Sequence, residues 1–203
     1  NVAASPPYNL ADVHNLDFCD VSVTLTHPGE DDTVSVSVWL PLNNWNGRFQ
    51  ATGGGGLAAG IIGLAPAHPV SQGYATAATD GGLTFNGTSN PQTGAWALRP
   101  DGSINTALLL NFAHRSIYDM TIIGKTLAER FYGSPPRYSY WSGCSTGGRQ
   151  GYFAAAKYPN LFDGVVAGAP ALNFPRLIGY MFWPPVHMFH SAAPPQCVFD
   201  TFW

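Results

Sequence analysis

Val21-Ser-Val-Thr-Leu-Thr26 alternates apolar and polar side chains, the period of a half-buried strand. His27-Pro28-Gly29-Glu30-Asp31-Asp32 is a turn by composition, and Val34, Val36 and Val38 then repeat the period of two. The two segments together predict a hairpin. Arg48 to Thr52 predicts a third short strand, which runs straight into Gly53-Gly54-Gly55-Gly56. Tyr74 to Thr79 predicts a small-residue strand that ends at the turn-forming Asp80-Gly81-Gly82. The period then changes. Between Asn105 and Phe131, residues Ile117, Met120, Gly124, Leu127, Ala128 and Phe131 fall on one face of a long helix, with Ser103 or Asn105 as its cap. Gly133 stops that helix, and Pro135-Pro136 prevents its resumption. Arg137 to Ser142 predicts a strand, and Gly147 to Tyr158 a helix ended by Pro159. Gly164 to Ala169 predicts a short apolar strand of the kind buried on both faces of a parallel sheet. The order strand, helix, strand, helix, strand predicts an α/β fold without internal repeats.

After Ala171 the texture changes. Phe174, Tyr180, Phe182, Trp183, Phe189, Phe199, Phe202 and Trp203 are interleaved with Pro175, Pro184, Pro185, Pro194 and Pro195, and no clean period emerges. This segment reads as the start of a cap inserted into the sheet domain. The expected division is residues 1–172 for the first part of the sheet domain and 173–203 for the beginning of the cap. The aromatic cluster at the end leads to the expectation that more chain follows.

Charged residues are only 10% of the 203, and the net charge is −3. A nucleic-acid partner held by a basic face is therefore excluded, and acidic tails and polybasic membrane patches are absent. Gly and Pro together make about a fifth of the chain, with 13% aromatic residues, which points to many ordered loops over a real core. Gly53 to Ala67, the longest weakly polar run, is too short to span a bilayer. No signal peptide is visible at Asn1; it was removed or never existed. Cysteine is odd in number: Cys19, Cys144 and Cys197. Asn86-Gly87-Thr88 is an N-glycosylation sequon, which makes Asn86 a candidate glycan site. With lysine nearly missing (Lys125 and Lys157), these features lean towards a secreted, extracellular glycoprotein with disulfides.

The central chemical signal is Trp141-Ser142-Gly143-Cys144-Ser145-Thr146-Gly147-Gly148-Arg149, between a predicted strand and a predicted helix. Gly143-x-Ser145-x-Gly147 is the nucleophile-elbow pattern. The serine occupies a sharp, strained turn, and its neighbours two places away must be small for strand and helix to approach. The turn lifts the hydroxyl above the sheet and aims a helix N-terminus at the reaction centre. Ser145 is thus the candidate nucleophile, and the Thr146 N–H a candidate oxyanion donor. The bland alternative is a Gly-rich turn between a strand and a helix.

Such a site needs another N–H donor from a loop after an earlier strand, and Gly54 or Gly55 is expected to supply it. The competing reading of Gly54-x-Gly56 with Gly60 is a dinucleotide fingerprint, and hence an oxidoreductase. Pro66 and the glycines leave little helix behind it, and the nearest later acid is Asp80. The base and the orienting acid should follow the nucleophile. After Ser145 stand only Asp163, Asp200, His187 and His190. Asp163 precedes its strand where a triad acid should end one, so its bland role is a helix-to-strand turn. His187 and His190 lie in the aromatic segment with no sheet strand before them. Upstream, His14, His27, His68 and His114 violate the chain order; His27 reads as a turn residue and His114 as a helix-face residue. The catalytic Asp and His are therefore expected outside these residues, and the fragment alone is expected to be inactive.

Several ordered segments resemble the tannase and feruloyl esterase family of serine esterases. They include Phe18-Cys19, Trp45-Asn46-Gly47-Arg48-Phe49, Thr52 to Gly56, Thr79-Asp80-Gly81-Gly82, Tyr132-Gly133, Gly143 to Arg149 with Gly151, Phe162-Asp163-Gly164, Gly168 to Ala171 and Pro194-Pro195-Gln196-Cys197. The resemblance implies the N-terminal portion of an α/β-hydrolase core with a lid inserted after the strand ending near Ala169. It implies a disulfide from Cys144 to a cysteine beyond the catalytic histidine, outside this chain. Cys19 and Cys197 pair with each other or with cysteines elsewhere; both remain open. It also implies a second polypeptide segment of the same protein as a partner, and a structural calcium in the lid, although no acidic cluster here offers a metal site. No catalytic cofactor is expected. The implied substrates are aromatic acid esters, most of all feruloyl esters of plant cell-wall polysaccharide, with galloyl esters as the alternative. A non-catalytic aryl-ester-binding module is the reading from another class. Phe182, Trp183 and Phe189 are candidates to line an aryl pocket, or they are ordinary lid core.

Overall fold

Six strands hydrogen-bond into one mixed sheet in the order β1-β2-β4-β3-β5-β6. The structure is a computed structural model that describes residues 1–3, 12–83, 90–190 and 194–200. β1 (Phe18–Leu25) and β2 (Val34–Pro41) form the expected hairpin, with Val21 opposite Val38 and Val23 opposite Val36. β2 runs antiparallel to β4 (Ala75–Thr79). From there β4, β3 (Arg48–Thr52), β5 (Tyr138–Cys144) and β6 (Gly164–Gly168) are mutually parallel. Parallel neighbours need crossover connections, and helices supply them. α1 (Ala67–Ser71) lies between β3 and β4, and α4 (Thr146–Lys157) between β5 and β6. Between β4 and β5 come α2 (Thr106–Leu110), a π-helical turn over Asn111–Arg115 and α3 (Ser116–Tyr132). This is an α/β-hydrolase sheet.

The main core is apolar sheet against apolar helix. Val34, Val36, Val38, Phe49, Ala51, Ala75 and Ala77 meet Ile117, Met120 and Ala128 of α3 and Ala154 of α4, with Trp141 fully enclosed among them. A Cβ at Gly124 would stand 2.7 Å from the Phe49 ring, so glycine lets α3 sit directly on β3. A smaller cluster of Trp39, Ala67 and Val70 holds α1. The Asn105 side chain caps α2 by accepting from the Leu108 N–H, and Gly133 ends α3 at φ 74°. Phe131, expected on the buried face, is exposed and meets Tyr132 edge-on in the last turn, where Tyr132 stacks on Trp45.

The chain divides into two compact units, Asn1–Pro170 and Ala171–Trp203. The second contains α5 (Phe174–His190) and α6 (Gln196–Phe199). The sequence pattern predicts no element over 174–190, yet these residues form 17 residues of helix that include Pro184 and Pro185. The reason is that Pro184 and Pro185, which ordinarily end a helix, lie inside α5. No helix among the described residues is long and apolar enough to cross a membrane.

Candidate active site

Strand register brings the two glycine-rich segments together. Thr52 of β3 pairs with Ser142 of β5. Both strands are parallel, so Gly53–Gly56 and Gly143–Ser145 leave the sheet side by side at its C-terminal edge, where ligands bind in open α/β sheets. Ser145 itself sits at φ 58° and ψ −116°. That region is sparsely allowed for a residue with a Cβ and costs on the order of 1–3 kcal/mol, so the surroundings must hold it. They do. The Ser145 N–H donates to the Gly168 carbonyl at 3.0 Å, and its own carbonyl accepts from the Arg149 N–H at 3.0 Å. Trp141 Nε1 donates to the Gly147 carbonyl at 2.9 Å. The glycines are required by space. A Cβ at Gly143 would lie 2.6 Å from the Gly147 carbonyl carbon, and one at Gly148 2.2 Å from the Gly168 oxygen. Ser145 is exposed at the top of this turn, and no described side chain is hydrogen-bonded to its hydroxyl.

The backbone N–H groups around it can be accounted for one by one. Gly53 donates to the Ser142 carbonyl, Gly147 to the Gly54 carbonyl, Gly54 to Gln150 Oε1 at 3.0 Å and Leu57 to Gln92 Oε1 at 2.9 Å. The Gly55 N–H faces Ala58 in an antiparallel bridge, and the N–H groups of Gly56 and Thr146 have no acceptor among the described residues. The two expected loop donors are therefore both engaged in holding the loop, Gly54 with Gln150 and Gly55 with Ala58. Gly56, which the sequence pattern did not single out, is the open donor of the loop. Thr146 is buried, and its hydroxyl donates to the Gly56 carbonyl at 2.6 Å. Gly53 to Gly56 and Ser145 line a cleft of about 550 Å³ together with Gln50, His68, Gln92 and Val166.

Two residues that sequence reasoning passed over shape the loop. Gln150, 1% exposed on α4, accepts from Gly54 and donates through Nε2 to the Ala59 carbonyl at 2.7 Å. A buried glutamine on the same helix face as Gly147 and Ala154 was the available signal. Gln92 reaches in from the far side and donates to the Gly55 carbonyl at 3.0 Å. Arg149 is deployed away from the cleft. Its guanidinium donates to the Ala113 and Phe112 carbonyls, which belong to the π turn, and lies 4.6 Å from the Phe112 ring. Burial pushes its pKa down.

The remaining candidates lie elsewhere. Asp163 accepts from the Ser139 N–H at 2.7 Å and the Ser139 hydroxyl at 3.0 Å, and these bonds hold its carboxyl below its ordinary range. It stands at the start of β6, the end of the sheet opposite Ser145. His187 packs edge-on against Trp183. His68 is on the cleft wall, with Nε2 facing the Gln72 amide nitrogen at 3.1 Å. His27 is more than a turn residue: its two ring nitrogens face Asp32 and Asp119. Among the described residues His27, Glu30 and Asp32 have metal-ligating atoms within 4.8 Å of one another. The absence of an acidic cluster expected from the sequence is thus corrected. The Arg115 guanidinium already pairs with Glu30 and Asp32, however, so the protein supplies its own cation there. Neither His27 nor Asp32 lines the cleft. Cys19, Cys144 and Cys197 are free thiols, with Cys144 and Cys197 exposed. Phe182, Trp183 and Phe189 are exposed on α5. Asn86 lies outside the described residues.

Residues 19–193 match the sequence model described as tannase and feruloyl esterase. The chain is 50% identical over 203 residues to a probable feruloyl esterase of Arthroderma benhamiae, covering 99% of this chain and 37% of that protein. It is 36% identical over 166 residues to feruloyl esterase B of Aspergillus niger, covering 82% of this chain and 29% of the relative. The solved structure of feruloyl esterase B from Aspergillus oryzae superposes with a TM-score of 0.69 at 33% identity, over 84% of this chain and 32% of that one. Tannin acyl hydrolase from Aspergillus niger gives 0.67 at 33% identity, over 76% and 28%. The chain spans about a third of the length of the curated relatives it matches.

Proposed function

The chain belongs to the tannase and feruloyl esterase family, and we propose that it carries the nucleophile and the oxyanion donors of a secreted serine carboxylesterase acting on aromatic acid esters. The observation that carries this reading is Ser145, exposed on a strained turn near the N–H groups of Gly56 and Thr146, which have no acceptor among the described residues. Ser145 Oγ attacks the ester carbonyl. The developing oxyanion is stabilised by the N–H of Thr146 and that of Gly56, next to the expected Gly55, in a cradle already held by Gln150 and Gln92. Collapse of the tetrahedral intermediate expels the alcohol and leaves an acyl-Ser145 ester, which water hydrolyses. A histidine from outside residues 1–203 takes the serine proton and passes it to the leaving alcohol, and an acid from outside orients that histidine. Without them, the chain alone turns over little or no ester.

The substrate is proposed to be a feruloyl ester, as the name of the Arthroderma relative suggests. The likeness to tannin acyl hydrolase supports a galloyl ester as the second reading. Cys144 is proposed to bond a cysteine from the remainder of the protein, which also supplies any structural calcium; Asn86 is proposed to carry a glycan. The test is labelling and turnover of the complete protein. A fluorophosphonate should modify Ser145, and methyl ferulate should be hydrolysed faster than methyl gallate. Labelling and full turnover that survive Ser145→Ala would reject the nucleophile. Saturable binding without acid release would favour a non-catalytic aryl-ester module.

A further inference from the structure

We propose that Gln92 is a positioning residue for the oxyanion donors, a role that rests on the esterase reading above and goes beyond it. Four consecutive glycines make the most conformationally free loop the backbone offers. N–H donors stabilise an oxyanion well only when they are already aimed, because reorganising them during the reaction spends their advantage. The loop must therefore be held at its peptide planes, since it has no side chains to pack.

Two of those planes are pinned. The Gly54 carbonyl accepts from the Gly147 N–H at 3.0 Å. In a trans peptide the N–H points opposite to the carbonyl, so this bond also turns the Gly55 N–H towards its bridge partner Ala58. The next carbonyl, Gly55, accepts from Gln92 Nε2 at 3.0 Å, which sets the direction of the Gly56 N–H. The other end of the same carboxamide accepts from the Leu57 N–H at 2.9 Å. Gln92 thus brackets Gly56 on both sides. Gly56 has φ 58°, and a Cβ there would lie 2.2 Å from Gln92 Oε1, so the amide closes directly over the glycine. A donor bond to the Gly55 carbonyl also polarises that peptide and strengthens its N–H as a donor.

Gln92 is in turn held by its own segment. Its N–H donates to Asn90 Oδ1 at 2.9 Å, at the start of the 3-10 turn Pro91–Thr93. Trp96 Nε1 donates to the Pro91 carbonyl at 2.9 Å and secures the turn from below. Gln92 is nevertheless exposed, with its amide on the cleft wall. A turn built to present an exposed glutamine to loop backbone more than thirty residues away serves the loop, not the core.

The test uses the complete protein with Gln92→Ala and Gln92→Glu. The glutamate keeps the shape and the acceptor for Leu57 but puts a carboxylate oxygen against the Gly55 carbonyl. For methyl ferulate, both variants should lose roughly tenfold in kcat, with KM within about twofold, less than the loss of a donor itself. Affinity for a boronic acid that forms a tetrahedral adduct on Ser145 should fall by the same factor. Thermal unfolding should move by no more than about 2 °C, as for a surface residue. A kcat within twofold of wild type in both variants overturns the proposal, as does a raised KM with kcat unchanged. A wild type that is neither labelled nor active overturns the esterase reading and this role together. An active wild type with unaffected variants overturns this role alone.

Discussion

The Thr146 hydroxyl donates to the Gly56 carbonyl at 2.6 Å and so ties the residue after Ser145 to a glycine loop 90 positions earlier in the chain. The two halves of the oxyanion cradle are thereby fastened to each other as well as to the sheet. Thr146→Val keeps the β-branch, the volume and the backbone N–H, and removes only this O–H. The Gly56 carbonyl loses a buried partner, worth about 1 kcal/mol net. Denaturant unfolding should report that loss. Ester hydrolysis by the complete protein should slow by about three- to tenfold in kcat, because the cradle loosens without losing a donor. Unchanged kcat and unchanged stability would show that the bond holds nothing.

Ser145 stores backbone strain at φ 58° and ψ −116°. Glycine has no Cβ and adopts that conformation without penalty, whereas alanine carries the same Cβ as serine. Ser145→Gly should therefore stabilise the fold by about 1 kcal/mol or more, and Ser145→Ala should not. Both should abolish fluorophosphonate labelling. Equal stability of the two variants would mean that the turn is not strained.

Much of this arrangement is legible in the sequence, because local signals and tertiary needs agree there. β1 and β2 follow from alternation, the end of α3 from Gly133, and the turn at Ser145 from its flanking glycines. What was not legible depends on partners far along the chain. Gln150 is an ordinary helix residue until its amide meets the Gly54 N–H and the Ala59 carbonyl. Gln92 follows a turn-like proline and looks like solvent-facing loop until it closes over Gly56. In the π turn at Asn111–Arg115 the Phe112 and Ala113 carbonyls accept from Arg149, which comes from α4 more than thirty residues later. α5 was hidden for a different reason: the prolines inside it read as helix breakers.

Two glycines at the junction of α4 and β6 make a paired test of close approach. A Cβ on Gly148 would fall 2.2 Å from the Gly168 oxygen and 2.9 Å from the Pro170 Cα, both backbone atoms that cannot rotate away. A Cβ on Gly168 would find its nearest neighbours at 3.7 Å, ordinary contact distance. Gly148→Ala should cost about 2 kcal/mol or more and slow labelling of Ser145, whose N–H is held by the Gly168 carbonyl. Gly168→Ala should stay within about 0.5 kcal/mol of wild type. The two variants differ by position alone, so equal destabilisation would contradict the packing described.

Stability should fall in mild acid through His114. Its ring stacks on Phe153 at 4.9 Å, with Nδ1 2.8 Å from the Tyr158 hydroxyl and Nε2 3.3 Å from Lys157 Nζ. Lys157 can only donate, so Nε2 is the acceptor and Nδ1 carries the proton. Burial lowers the His114 pKa, and Lys157 and Arg115 lower it further against the opposing pull of Asp119. Above about pH 6.5 the ring is neutral in both folded and unfolded chains, and its titration contributes nothing. As pH drops below that value, the unfolded chain takes up a proton that the folded ring declines. Unfolding is therefore favoured progressively until the pH passes the lowered folded pKa. His114→Phe keeps an aromatic ring against Phe153 and cannot titrate. It should be less stable than wild type at pH 7.5, having lost the Tyr158 contact, but should lose less stability than wild type on going to pH 5. Urea unfolding of both proteins across that range checks the sign. Parallel curves would remove His114 from the account of acid sensitivity.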